Sequence, residues 1–306
     1  MLPFLARRIF RIIPIAFCVV MILFFLFQLV PGDPALLIAG PMASPEEIAA
    51  IRHTIGLDQP LWLQLWNHIS GLAVGDFGYS LTFKGSPLPY VLARLPETIW
   101  LATVSIALTI AIGIPAGVVA ALNRGRMLDN LISVAVVGLL AVPNFCIGLL
   151  LISTFSVQLG WLPSFGAEDW RSVIMPALAL AARLIALVGR MTRNVMIEEL
   201  RKDYVRTARA KGLRRHVIVI RHVLRNALIP VVTVIGLQAG YLLGGAIVIE
   251  RLFSWPGIGD LLINAVGLRD YALIQAITIV FVVGFLLINL VTDLLYAAIN
   301  PKLRHA

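Results

Sequence analysis

IWLATVSIALTIAIGIPAGVVAAL, residues 99–122, contains no Asp, Glu, Lys, Arg or His. A helix rises about 1.5 Å per residue and a hydrocarbon core is roughly 30 Å thick, so about 20 such residues suffice to cross it. Outward from this run, apolar stretches of similar length occupy residues 9–30, which has Arg11 near its start, 131–159, 229–249 and 271–292, and a shorter one at 173–188 carries Arg183. Of 306 residues, 59% are hydrophobic and 13% charged, against about 25% charged in a typical soluble chain. That composition excludes a soluble globular protein and a disordered chain, and two cysteines are too few for a disulfide scaffold. The expectation is an all-α integral membrane protein with six transmembrane helices.

A net charge of +9 would suit a nucleic-acid partner if the charges were scattered. Arg7, Arg8 and Arg11 instead predict cytoplasmic N- and C-termini under the positive-inside rule. With six spans, 18 Lys and Arg residues fall inside and 6 outside, while 11 acidic residues fall outside and 5 inside. The inside then carries +13 and the outside −5, with Arg183 left within the membrane. Topology accounts for the basic balance, and no nucleic acid is expected. The first apolar run is too long for a signal h-region and ends in VPGDP (30–34) without a small-x-small cleavage site, so it is expected to stay attached. Cys18 and Cys146 fall inside spans, where thiols behave as small hydrophobes.

The chain divides into a cytoplasmic N-terminus with the first span (1–30), a periplasmic segment (31–98) and a core transmembrane domain (99–306) containing a cytoplasmic loop at 190–228. In the outer segment, Ser44-Pro45-Glu46-Glu47 has the capping-box pattern with Pro at the first helical position, and Gly56 suits the end of that helix. Asp58 is placed to cap a second helix with Leu61, Leu65 and Ile69 on one face and Gly71 closing it. Trp62, Trp66, Tyr79, Tyr90 and Trp100 read as an interface belt. In the inner loop, good helix formers run through DYVRTARAKGL (203–213), where Gly212 suits a C′ position. Beyond it, Ile220, Val223 or Leu224, and Ala227 or Leu228 recur at helical spacing. A helix, a turn and a second amphipathic helix leading to Pro230 make either a stiff knob that transmits force or a basic hairpin resting on anionic membrane lipid.

These residues resemble the membrane-spanning permease subunits of binding-protein-dependent ABC importers. The hallmark of that family is a cytoplasmic EAA loop: Glu-Ala-Ala, three residues, Gly, and further on a hydrophobic-Leu-Pro ending. Arg206-Thr207-Ala208, Gly212 and Leu228-Ile229-Pro230 occupy those places, with Arg206 standing where the pattern has Glu. DYVRTARAKGL is more similar still to the dipeptide, oligopeptide and nickel branch. So are VPGDP (30–34), GDFGYS (75–80), RNALIP (225–230), FSWPGIG (253–259), Arg269-Asp270-Tyr271 and Asn300-Pro301, which span almost the whole chain in order. The short outer loop from GWLP (160–163) to Val173 and the total length look similar to the glutathione-importing members of the branch.

The resemblance implies the type I ABC importer permease fold in a bacterial inner membrane, a second homologous permease, two ABC ATP-binding subunits and a periplasmic substrate-binding protein. It implies no catalysis by this chain, with ATP and Mg held by the partner subunits. Consistently, no Gly-Lys dipeptide occurs, so a Walker A loop is absent. The coupling set it implies is Glu199, Asp203, Tyr204, Arg206, Thr207, Ala208, Ala210, Lys211 and Gly212, with Tyr204 and Ala208, four residues apart, inserting into the ATPase cleft. Ion pairs at such a wet rim are worth only about 0 to 1 kcal/mol each, so shape is expected to matter more.

Asn144, Arg183 and Gln238 are the pathway candidates. Pro143 frees a backbone carbonyl and Asn144 can line a cavity, although a plain kink fits the same residues. Arg183 is costly in a membrane unless it faces protein or water; it is placed to meet a peptide carboxylate, to pair with Asp293, or to lie near a span end. Gly236, Gly240, Gly244 and Gly245 suit tight packing against the companion permease. The five histidines show no ligand spacing, so no metal site is expected, and Ser254 lacks a Gly-x-Ser-x-Gly context for hydrolysis. An ion-coupled secondary carrier would want midplane acids and an internal repeat, which the sequence does not offer. Short peptides, glutathione, nickel chelates and other small solutes all remain open as substrates.

Overall fold

The computed structural model describes residues 2–29, 33–40 and 42–299. Val30, Pro31, Gly32, Asn300 and Pro301 of the family phrases lie outside the described residues, as do the side chains of Arg7, Arg8, Arg11 and Asp293. Helices dominate, and the one extended pairing among the described residues is an isolated bridge between Ser80 and Gly85. The helices are α1 (Leu2–Leu29), α2 (Pro34–Ala39), α3 (Pro45–Thr54), α4 (Leu61–Ala73), α5 (Leu88–Leu108), α6 (Ile114–Leu122), α7 (Met127–Ala141), α8 (Asn144–Leu151), α9 (Ile174–Glu199), α10 (Asp203–Ala210), α11 (Arg215–Val217), α12 (Arg225–Phe253), α13 (Ile258–Gly267) and α14 (Tyr271–Ile299). They form two compact units, Met1–Ala93 with Leu261–Val283, and Arg94–Asp260 with Gly284–Ala306.

Among the described residues, Leu88–Leu122, Trp170–Glu199, Arg215–Phe253 and Tyr271–Thr292 are long and apolar enough to cross a membrane. The region expected as one straight span at 131–159 is instead two helices, Met127–Ala141 and Asn144–Gln158, bent by 108°. Val142 is extended, with ψ 129°, and Pro143 follows it with φ −59°. Proline disfavours a helical residue before it and cannot donate to the preceding turn, so the helix stops and restarts there. Taken together the pair would make a fifth span, and the apolar part of α1, Ile13–Leu29, is shorter.

The short stretch at 173–188 grows the most. It belongs to Trp170–Glu199, the most deeply buried of the long helices, with 78% of its apolar window inside the protein. Ala177, Ala179, Ala181, Ala182, Ala186 and Gly189 are buried on it, and these small residues let α6, α7, α8 and α12 pack around it. Close packing, not expulsion from water, holds helices together in lipid, and small residues permit it. The tightest approach is at Gly117, where a Cβ would stand 2.5 Å from the Gly189 carbonyl oxygen and 2.6 Å from Thr192 Cβ. Between α5 and α6 the ladder widens into a π-turn, Thr109–Gly113. Pro115, just after it, lacks an N–H, and the wider turn accommodates that loss. A second π-turn, Ile218–Leu224, joins α11 to α12, so the helix expected to end at Pro230 runs straight through it from Arg215 to Phe253.

The outer helices follow their caps in part. Ser44 Oγ accepts from Glu47 N–H, the Glu47 carboxylate accepts from Ser44 N–H, and Gly56 has φ +73° just past α3. Asp58, however, does not cap α4: Pro60 is its N-cap, without a side-chain bond, and Asp58 faces His53 at 3.9 Å. Gly71 lies inside the last turn, and the left-handed residue that ends the helix is Gly75, φ +83°. Two family phrases meet in this unit. Asp270, buried at the start of α14, accepts from Ser80 Oγ (2.6 Å), Thr82 N–H (2.9 Å) and Leu273 N–H (3.1 Å). GDFGYS is thereby tied to Arg269-Asp270-Tyr271.

The glycines of α12 serve the chain itself. Gly236 faces Thr292 and Gly240 faces Phe285, both on α14, while Gly245 faces Leu180 of α9. Gly244 alone of the four meets nothing within 4 Å. Packing against a companion is therefore not what Gly236, Gly240 and Gly245 accomplish here; they bring α12 close to α14 and α9.

Candidate functional site

Two features of the second unit combine polar chemistry with unusual geometry. The first is the knob at α10. Asp203 begins it, Gly212 lies just past it with φ +76°, and Leu213 N–H bonds to the Ala208 carbonyl while Gly212 N–H bonds to that of Arg209. Those two bonds define a Schellman closure, which glycine satisfies without a Cβ penalty. Val205 and Ala208 are buried against Ala121, Met196, Ile218, Val219, Val223 and Ala227. Tyr204 is half-buried, and its hydroxyl donates to Glu199 Oε2 at 2.7 Å.

Within this chain Ala208 is buried and Tyr204 packs half-buried beside it, because the apolar stripe of α10 is the stripe that the surrounding helices cover. Asp203, Arg206, Thr207, Ala210, Lys211 and Gly212 form the exposed face, with Arg209 beside them. Glu199 lies at the end of α9, largely buried, where it accepts from Lys202 Nζ at 2.5 Å and so pins the turn between α9 and α10. The Glu199 carboxylate pushes the Lys202 pKa up by stabilising its charged form, and burial with the same hydrogen bond pushes the Tyr204 phenol up. Arg206 and Asp203 pair at 3.3 Å on the open surface.

The second feature is a cavity of about 530 Å³. It gathers Asn144 at the start of α8, Arg183 of α9 and Gln238 of α12, three residues far apart in the chain. Every other described lining residue belongs to α9 or α12: Leu180, Leu184 and Leu187, and Tyr241, Leu242 and Gly245. On α9 the set 180, 183, 184 and 187 is one helical face, and on α12 so is 238, 241, 242 and 245. Asn144 can stand there because the break at Pro143 makes it the first residue of a new helix. The guanidinium of Arg183 makes no ion pair with a described residue, and Asp293, one expected partner, has its side chain outside the described residues.

Three polar residues escaped the sequence reading. Tyr241, three residues after Gln238 on the same face, was legible only by helical spacing. Asp129 is 3% exposed and bound by Arg193 through two contacts of 2.5 and 2.8 Å, fastening the start of α7 to α9. Glu250 is fully buried and accepts from Thr98 Oγ1 (2.7 Å), Gly259 N–H (2.7 Å) and Asp260 N–H (3.2 Å). FSWPGIG wraps this carboxylate, since any Cβ at Gly257 would collide with it, while Trp255 Nε1 donates to the Glu97 carbonyl. Ser254 has a left-handed φ of 49° as the helix cap, a structural use of the residue considered for hydrolysis. Among the described residues no group of three metal-ligating side chains occurs.

Buried polar clamps, broken helices and a cationic cavity within a bundle of long apolar helices define a class: the membrane component of a solute transport system. The chain belongs to the family described as the binding-protein-dependent transport system inner membrane component, which matches residues 113–305; the matching N-terminal family of such membrane components covers residues 1–102. It is a multi-pass inner-membrane protein. It is 46% identical over 305 residues, covering 100% of both chains, to the glutathione transport system permease protein GsiC of Escherichia coli (strain K12), and equally so to that of Shigella dysenteriae serotype 1 (strain Sd197). Its fold is similar to inward-facing structures of the MetNI methionine ABC transporter. One crystal form gives a TM-score of 0.60 at 21% identity, over 71% of this chain and 99% of that one; another gives 0.58 at 20%, over 69% and 96%.

Proposed function

We propose that this chain forms half of the translocation pathway of an ATP-driven importer of short peptides, with glutathione as the leading substrate. In this reading it has six spans, counting α1 and the bent pair as one each, and both termini are cytoplasmic. Residues 1–30 carry the first span, 31–98 the periplasmic segment that receives the loaded binding protein, and 99–306 the core. A second homologous permease completes the pathway, and two ATP-binding subunits hold ATP and Mg.

The observation that carries the proposal is the position of α10 in the chain. It lies between α9 and the α11–α12 helix, and among the described residues those two helices supply all of the cavity lining except Asn144. A push on the exposed face of α10 at Asp203, Arg206, Thr207, Ala210, Lys211 and Gly212 is delivered to both walls at once. Glu199 and Tyr204 hold the knob to α9, and Ala208 seats it on the core. ATP-driven closure of the partners then alternates access to the cavity at Asn144, Arg183 and Gln238. Among the described residues the cavity lining holds no Asp or Glu, which weighs against an ion-coupled carrier.

Reconstitution with the partner subunits and binding protein tests this. Vesicles should take up reduced glutathione only with ATP inside the partner compartment. Gly212→Val, which forces a β-branched residue into the left-handed region, should abolish uptake while the assembly remains intact on size-exclusion chromatography. Uptake without ATP, or normal uptake by the Gly212→Val assembly, would overturn the reading.

A further inference from the structure

The cavity between α8, α9 and α12 holds a charge, Arg183, that no ion pair among the described residues uses. Arg183 lies about 14 Å along α9 from Ile174, at the usual helical rise, so it stands well inside the helix and not at its end. An arginine stays protonated in proteins, and a cation at such depth needs protein, water or a counter-charge around it. The other polar groups lining the cavity are the carboxamides of Asn144 and Gln238 and the Tyr241 phenol. All four residues can donate hydrogen bonds, and among the described residues no Asp or Glu lines the cavity. The remaining walls are mostly leucine side chains, and Arg183 and Tyr241 stand exposed at the open side of the cavity, where a solute can reach them. The volume of about 530 Å³ falls in the range of small-molecule sites.

We infer that this cavity binds a carboxylate of the transported solute, with the Arg183 guanidinium as its anchor and Gln238, Asn144 and Tyr241 as the surrounding donors. The inference rests on the importer reading above and adds the chemical class that the pathway selects: solutes with a free carboxylate over the same solutes with that group neutralised. A guanidinium matches a carboxylate through two parallel N–H···O bonds. A single cation ringed by neutral donors also suits a transit site, because binding must be strong enough to admit the solute and weak enough to release it.

Two measurements on the complete assembly decide it. In detergent, without binding protein or ATP, equilibrium binding of reduced glutathione is compared with that of glutathione esterified at both carboxylates, for wild type, Arg183→Gln and Arg183→Lys. Wild type should prefer the free acid by at least about tenfold, the margin expected for a charge-assisted hydrogen bond. Arg183→Gln should lose that preference, and Arg183→Lys should keep part of it, since it retains the charge without the fork. In vesicles supplied with loaded binding protein, Arg183→Gln should lower glutathione transported per ATP hydrolysed at least about tenfold, with stimulated ATP hydrolysis kept within about twofold.

Equal binding of acid and ester by wild type, or an unchanged ratio of transport to hydrolysis in Arg183→Gln, would overturn the inference. So would dissociation of the Arg183→Gln assembly on size-exclusion chromatography, which would make Arg183 an anchor to the companion subunit. Carboxylate-selective binding in an assembly that fails to transport with ATP would sink the importer reading alone and leave the anion site standing.

Discussion

His68 and Glu250 show how single side chains set conditions on this protein. His68, half-buried on α4, touches the Phe24 ring (5.5 Å between centroids) and the Gln275 side chain, 2.6 Å from its Nε2. Burial disfavours the charged imidazole and lowers its pKa below the ordinary value near 6.5. The unfolded chain therefore binds the proton first as the medium acidifies. The stability this site contributes is complete above pH about 6.5 and is lost as pH falls toward the folded-state pKa. The protection factors of α4 amides, which remove the intrinsic pH dependence of exchange, should fall between pH 7.5 and pH 5, and His68→Gln should flatten that dependence. A pH-independent protection factor in the wild type would contradict the placement of the ring.

At Glu250 the argument is one of hydrogen-bond satisfaction. Its carboxylate accepts three hydrogen bonds, two of them from backbone N–H groups of the 257–260 turn. Glu250→Ala strands those donors, at a cost of about 1–3 kcal/mol for each group left unsatisfied in a buried setting. Thermal unfolding of the detergent-purified chain should show a lower midpoint for Glu250→Ala than for Glu250→Gln, which keeps an acceptor oxygen.

At the scale of elements, the long helices are held by surfaces that glycine and alanine leave open. Gly236 and Gly240 on α12 lie against Thr292 and Phe285 of α14, and Thr292 Oγ1 donates to the Gly236 carbonyl at 3.2 Å. Gly236→Val drives methyl groups into Thr292 and should destabilise the purified chain by about 1–3 kcal/mol, the usual cost of overpacking. Gly244→Ala, with nothing within 4 Å, should instead leave stability unchanged or raise it by up to about 1 kcal/mol, because alanine is the better helix former. Equal melting temperatures for the two variants would show that α12 and α14 do not approach as described. The capping box at Ser44 and the Schellman turn at Gly212 were legible beforehand, because caps depend on neighbours within one turn. Asp58 and Gly71 misled for a related reason: the actual boundaries fell to Pro60, whose ring fixes φ, and to Gly75, which takes a left-handed φ without a Cβ penalty.

For the molecule as a whole, the unequal distribution of Lys and Arg gives the topology a direct test. Position 84, in the outer segment, and position 211, beside Gly212, should lie on opposite sides of the membrane. With Cys18 and Cys146 replaced by alanine, Lys84→Cys should react with an impermeant maleimide in intact spheroplasts. Lys211→Cys should react only after permeabilisation. Labelling of both from the outside would refute the proposed orientation of the core.

Apolar runs, charge placement and family phrases determined on their own that the chain is a multi-pass helical membrane component. The reason is that bilayer thickness and the positive-inside rule act on short stretches of chain. Tertiary structure alone decided that Val142-Pro143 splits a span in two, that α9 is the buried hub, and that Tyr204 and Ala208 face inward. It also brought Asn144, Arg183 and Gln238 to one cavity and closed FSWPGIG around Glu250. Those outcomes depend on the rotational phase and separation of helices distant in sequence, which are fixed by which side chains interlock and not by any local period.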